Sequence, residues 1–99
     1  MLLPPAESAA VGFISGQLDL LYRDPVDRGL VVVDYKTDRV GTDRELLARA
    51  AVYASQCRIY SRGVQEALRL AAAPRWELWF LFPGRVVVGS MDREDLALE

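Results

Sequence analysis

Ninety-nine residues, 52% of them hydrophobic, suffice for one domain with a modest core. A net charge of −2 argues against tight, unaided nucleic-acid binding. The lone Cys57 excludes an intrachain disulfide and fits a reducing, cytoplasmic compartment, and no run of about eighteen apolar residues offers a membrane span.

Residues 1–8 carry Pro4 and Pro5 and read as a loose lead-in. Ala9 to Tyr22 reads as one extended segment, with Gly12 and Gly16 as bends or bulges. Leu30 to Lys36 is β-branched and apolar on both faces, which predicts a central strand. Between the two extended segments, Arg23 to Gly29 is rich in turn formers, so a hairpin is the simplest connection. If Arg23 pairs with Leu30, Asp19 falls opposite Asp34. Alternation along the strand puts Asp34 and Lys36 on one face.

Thr42 and Glu45 fit a capping box. The helix they open carries one apolar stripe of Leu46, Ala50, Tyr53, Cys57, Tyr60, Val64 and Ala67. Gly63 is a weak point within it, and Ala71-Ala72-Ala73-Pro74 closes it. Trp76 to Phe82 reads as a strand with large residues on both faces except at Glu77. A turn at Phe82-Pro83-Gly84-Arg85 leads to a short strand at Val86-Val87-Val88. Asp92 to Leu96 reads as a final helical turn capped by Asp92. The order strand, strand, long helix, strand, strand predicts an α+β domain with a mixed sheet and the helix crossing one face.

The hairpin carries the chemistry. Carboxylates opposite each other on paired strands destabilise a sheet. At about 5 Å and an effective dielectric of about 20, the repulsion is roughly 3 kcal/mol. Lys36 supplies part of the relief. A hard cation, Mg²⁺ or Mn²⁺, supplies the rest and suits one or two carboxylates completed by water and phosphate oxygens. Two carboxylates, such an ion and a lysine point to phosphodiester hydrolysis. The plain alternative is a salt bridge with no ligand. Tyr53, Gln56 and Tyr60 share a helical face, and Gln56 sits poorly in a purely apolar core. Asp24 and Asp27 read as turn formers, and Trp76 and Trp79 as core or covered surface.

Three blocks in order, Gly16-Gln17-Leu18-Asp19-Leu20-Leu21, Val33-Asp34-Tyr35-Lys36-Thr37 and Tyr53-x-x-Gln56-x-x-x-Tyr60, resemble the PD-(D/E)xK nuclease superfamily. The similarity is greatest to the RecB-type nuclease domain at the C-terminus of UvrD-like helicase-nucleases of the AddA kind, over about Val11 to Val88. The resemblance implies a restriction-endonuclease-like fold. It implies that Asp19 and Asp34 ligate the metal, with the Tyr35 backbone carbonyl as a further ligand, and that Lys36 is catalytic. Gln56 and Tyr60, with Tyr53 on the same face, would stand behind the ligands or face DNA. The implied function is a metal-dependent DNA exonuclease within a helicase-nuclease of double-strand break repair and recombination. ATP would enter only through a helicase part outside this chain. Some relatives hold an iron–sulfur cluster through four Cys; Cys57 stands alone, so no cluster is expected.

One departure shapes the expectation. Such domains carry a helical region before the first strand that supplies a His or Glu ligand. Here no His occurs and Glu7 is the sole candidate acid before Gly16. Residues 1–99 are therefore expected to be the C-terminal part of a RecB-type domain without its upstream helices. The apolar faces of Leu30–Val33 and Trp76–Phe82 would then be left partly uncovered, inviting self-association. The alternative reading is a non-catalytic scaffold or DNA-positioning module derived from the same fold.

Overall fold

The computed structural model describes residues 19–99. The expected lead-in and the extended run up to Leu18, with Gly12 and Gly16, lie outside the described residues, as does Glu7. Strand β1 spans Leu20–Arg23 and β2 spans Leu30–Lys36. They form the expected hairpin, with Arg23 beside Leu30 and Leu20 beside Val33. Its loop is closed by main-chain bonds from Asp24 N to Gly29 O and from Arg28 N to Asp24 O, both 2.8 Å. The Asp24 and Asp27 carboxylates accept from Val26 N and Gly29 N two residues on, which is the Asx-turn chemistry of these residue types.

Helix α1 spans Asp43–Leu68. Thr42 Oγ1 accepts from Glu45 N at 3.1 Å, satisfying a free donor of the first turn. Gly63 does not interrupt the helix. It ends before the Ala71–Pro74 segment, at Arg69, whose left-handed backbone turns its N–H to the carbonyls of Gln65 and Glu66. The buried face is Leu46, Ala50, Ala54, Cys57, Tyr60, Ser61 and Val64. Ala67 is exposed, contrary to the predicted stripe. Alternating steps of four and three average 3.5 residues, and against the 3.6-residue turn the stripe drifts until its last member faces solvent.

Strand β3 spans Arg75–Phe80, β4 spans Arg85–Ser90 and β5 spans Arg93–Leu98. The sheet order is β1-β2-β3-β4-β5. Only β2 and β3 run parallel, and α1 is the crossover such a pair requires. The described residues thus form an α+β unit with a mixed five-stranded sheet and one helix. Strand β3 stops two residues short of its predicted end: Leu81 and Phe82 leave the sheet and are exposed. The predicted final helical turn is instead β5. Ser90 pairs with Arg93 across Met91-Asp92, and Leu96 and Leu98 alternate toward the core. A period of two over six residues outweighs the capping potential of Asp92, whose carboxylate accepts from Ser90 Oγ within the turn.

The core lies between α1 and one sheet face, where Leu21, Leu30, Val32, Trp76, Leu78, Phe80 and Val87 meet the buried helix residues. Gly89 is required beneath Trp76: a Cβ there would lie 2.2 Å from Trp76 Cζ2. The far face is also covered at its centre. Tyr22 donates to Glu77 Oε2 at 2.9 Å, a bond from β1 to β3 that crosses β2 beside Val31 and Val33, both fully buried. The expectation that Leu30–Val33 would present an uncovered apolar face is therefore not met. Of the large apolar residues that stay exposed, Tyr35, Leu81 and Phe82 lie at the end of β2 and β3, where Leu81 N bonds Lys36 O, whereas Val26 is in the hairpin loop and Val52 and Ile59 are on α1.

Candidate active site

Strand β2 runs out of the core at Asp34, and this fixes the chemistry of the site. Asp34 is only 6% exposed, and it shares a face with Val32 and Lys36 beneath α1. Its Oδ2 lies 2.9 Å from Lys36 Nζ. Asp19 lies one residue before β1, next to the Leu20–Val33 pair that ends the ladder. Asp19 Oδ2 accepts from Tyr35 N at 2.8 Å, which ties its carboxylate to β2. The fold thus brings Asp19, Asp34 and Lys36 together, as their spacing predicts.

Burial raises the Asp34 pKa, the Asp19 carboxyl raises it further, and Lys36 only partly opposes both. Burial would lower the Lys36 pKa, but its hydrogen bond and attraction to Asp34 outweigh that and leave it raised. The pair is therefore an ammonium held on a carboxylate that is costly to ionise. Lys36 accordingly has a share in stability as well as any chemical role.

Helix α1 docks over this face, so its polar residues meet the hairpin. The Tyr53 ring lies under Lys36 Nζ, 4.0 Å from ring centroid to nitrogen. Gln56 Nε2 donates to Tyr60 Oη at 2.8 Å. Burial raises the Tyr60 pKa, and the Asp34 charge adds to the effect. Cys57, fully buried, has its pKa pushed up to about 12, first by burial and then by the Asp34 charge. It is an inert thiol beneath the carboxylate rather than a nucleophile.

The donor set suits a hard cation. It is all oxygen, and its most buried member is a carboxylate beside a second carboxylate, an arrangement that a divalent ion relieves. The fit is partial. Lys36 occupies one oxygen of Asp34, Tyr35 N occupies one oxygen of Asp19, and no group of three ligating side chains occurs among the described residues.

Sequence reasoning missed two sets of residues. One is Asp38 with Arg49. Tyr53 Oη donates to both Asp38 carboxylate oxygens, at 2.9 and 3.1 Å, and Arg49 Nε lies 3.8 Å from Asp38. By sequence Asp38 reads as a solvated loop acid, and only helix docking reveals its partner fifteen residues on. The other set lies on the far sheet face. Glu77, buried, accepts from Tyr22 and from Trp79 Nε1 at 2.9 Å, while Arg75 pairs with Asp24 and Asp27. The break in apolarity at Glu77 was the available signal.

A surface groove of about 720 Å³ runs between α1 and β5, lined in part by Ala54, Arg58, Asp92, Arg93, Glu94 and Leu96. None of the candidate site residues lines it, and its charges are mixed. No described helix is long and apolar enough to cross a membrane.

The chain is 43% identical over 63 residues to an ATP-dependent helicase/nuclease subunit of Desulforudis audaxviator strain MP104C. The match covers 64% of this chain and 5% of that protein. No family model matches the sequence, and no solved structure matches it.

Proposed function

We propose that this chain carries the core of a metal-dependent DNA nuclease site, built on a restriction-endonuclease-like, RecB-type fold. Its context would be a larger helicase-nuclease acting in double-strand break repair and recombination, with ATP used only by a helicase part outside residues 1–99. The observation that carries the reading is the convergence of Asp19, Asp34 and Lys36 on one face, beneath a helix that presents Tyr53, Gln56 and Tyr60. The likeness to a protein named as a helicase/nuclease subunit supports the same context.

In this reading Asp19, Asp34 and the Tyr35 carbonyl would hold Mg²⁺ or Mn²⁺. When bound, the ion supplies Lewis acidity at the phosphate and activates water. The chain's own groups do the rest. Asp34, desolvated and costly to ionise alone, favours occupancy by a cation. Lys36 carries an ammonium fixed beside that carboxylate, where it can orient water or meet charge developing on a phosphate oxygen. Gln56 and Tyr60 form a hydrogen-bonded pair on the overlying helix, facing the site's rear or the DNA backbone. Hydrolysis forms one P–O bond from water and breaks one P–O ester bond, and the water proton ends on the leaving oxygen or in solvent.

The second reading, a scaffold or DNA-positioning module without activity, draws on the small ligand set. One assay separates them: cleavage of labelled single- and double-stranded DNA by the full chain with Mn²⁺, against Lys36→Met. Cleavage that needs both Mn²⁺ and Lys36 supports the nuclease. DNA retention without cleavage, equal in both proteins, supports the scaffold.

A further inference from the structure

Lysine has a long, freely rotating stem, and Asp34 alone restrains only the tip of Lys36. A second restraint comes from the other side, because the ammonium also rests on the Tyr53 ring at 4.0 Å from its centroid. Such a contact is favourable only while the ring face stays under the charge. Two contacts hold the ring there. Phe80 lies tilted against it, with centroids 6.5 Å apart, and the phenol donates to both oxygens of Asp38. Asp38 is half-buried, two residues past Lys36 in the loop that follows β2. Three links therefore close a ring: the backbone from Lys36 to Asp38, the bond from Asp38 to Tyr53, and the Tyr53 face under Lys36.

We propose that Asp38 is a positioning residue for Lys36, acting through Tyr53. The forked bond to the phenol sets the tilt of the aromatic plane, and the plane sets where the ammonium stands over Asp34. A mere brace between loop and helix would make the same hydrogen bond without affecting Lys36, so Lys36 itself must be the readout. The chain offers a clean one, since Lys36 is its only lysine.

The test is NMR on the full chain with ¹³C-labelled lysine in Mg²⁺ buffer. In wild type the Lys36 ε-methylene resonance is expected upfield, displaced by the Tyr53 ring current. Tyr53→Leu should abolish the displacement. Tyr53→Phe and Asp38→Ala should each reduce it, while Asp38→Asn, which keeps an acceptor for the phenol, should restore most of it. A wild-type displacement in both Tyr53→Phe and Asp38→Ala overturns the proposal. Should Asp38→Ala fail to fold, Tyr53→Phe, which loses only the phenol oxygen, decides alone.

The kinetic consequence rests on the nuclease reading. Mn²⁺-supported DNA cleavage should lose roughly 10- to 100-fold in kcat at little changed KM in Asp38→Ala, with recovery in Asp38→Asn. If wild type cuts no DNA, the nuclease reading falls, while the Lys36 resonance still decides the positioning role.

Discussion

Lys36→Met removes the charge that faces Asp34 and keeps an apolar stem on Tyr53. The Nζ–Oδ2 distance of 2.9 Å gives a gross attraction of about 6 kcal/mol at an effective dielectric of about 20. Both side chains are well buried, at 16% and 8% exposure, so solvent screens the pair little. The net loss is smaller, because Asp34 can escape by binding a proton. From an ordinary value of 3.8, keeping that carboxyl neutral in the fold costs at most about 4 kcal/mol at pH 7 and about 0.6 kcal/mol at pH 4. Relief of the desolvated ammonium offsets part of this, leaving an expected loss of about 2–4 kcal/mol at pH 7. The sign follows from the raised Asp34 pKa. Its contribution to stability is fully present below 3.8 and is lost as pH rises through the folded value; removing Lys36 raises that value again. Urea denaturation of both proteins at pH 7 and pH 4 measures the effect. A loss that is equal at the two pH values would mean that Lys36 matters by packing, and no loss at pH 7 would refute the ion-pair argument.

Mn²⁺ at ten times its dissociation constant should stabilise wild type by about 1.4 kcal/mol, or about 6–11 °C in Tm. Equal stabilisation of Asp19→Asn/Asp34→Asn would remove these carboxylates as ligands. Mn²⁺ affinity should weaken on acidification from above the ordinary carboxylate range, because the raised Asp34 pKa lets protons compete early; calorimetry across pH checks it. Glu77→Ala should cost about 2–4 kcal/mol by stranding Tyr22 Oη and Trp79 Nε1, read as a shift in the denaturation midpoint. Tyr60→Phe should keep the melting temperature and reduce cleavage if its hydroxyl serves the site, whereas an unchanged rate would leave Tyr60 a packing residue.

The parts of this chain that were legible from sequence are those set by local rules. The Arg23–Leu30 pairing followed from turn formers between two strand-like runs, and the expected opposition of Asp19 and Asp34 followed from that pairing alone. Thr42 announced the helix start with its own side chain, while the Glu45 carboxylate accepts from Gly41 N instead of the Thr42 N that a capping box would use. The errors sit where a local cue competed with a partner distant in sequence. Asp92 looks like a cap, but β5 gains its ladder from β4, and Leu96 and Leu98 gain burial under α1. Asp38 looks like a surface acid until the helix brings Tyr53 over it.

The same distinction explains the site. A hairpin can place two carboxylates and an ammonium together with no help from the rest of the chain, so the candidate groups were visible early. What holds Lys36 in one orientation comes from a helix some fifteen residues further on and requires the sheet to be built first. Groups that define a chemistry can be local; groups that fix its geometry are tertiary. The fold resolves this by crossing α1 over the end of β2, where the strand leaves the core and Asp34 is still buried. There the helix carries both the apolar residues that bury the sheet and the Tyr53 ring that meets the Lys36 ammonium, with Gln56 and Tyr60 bonded to each other one and two turns on.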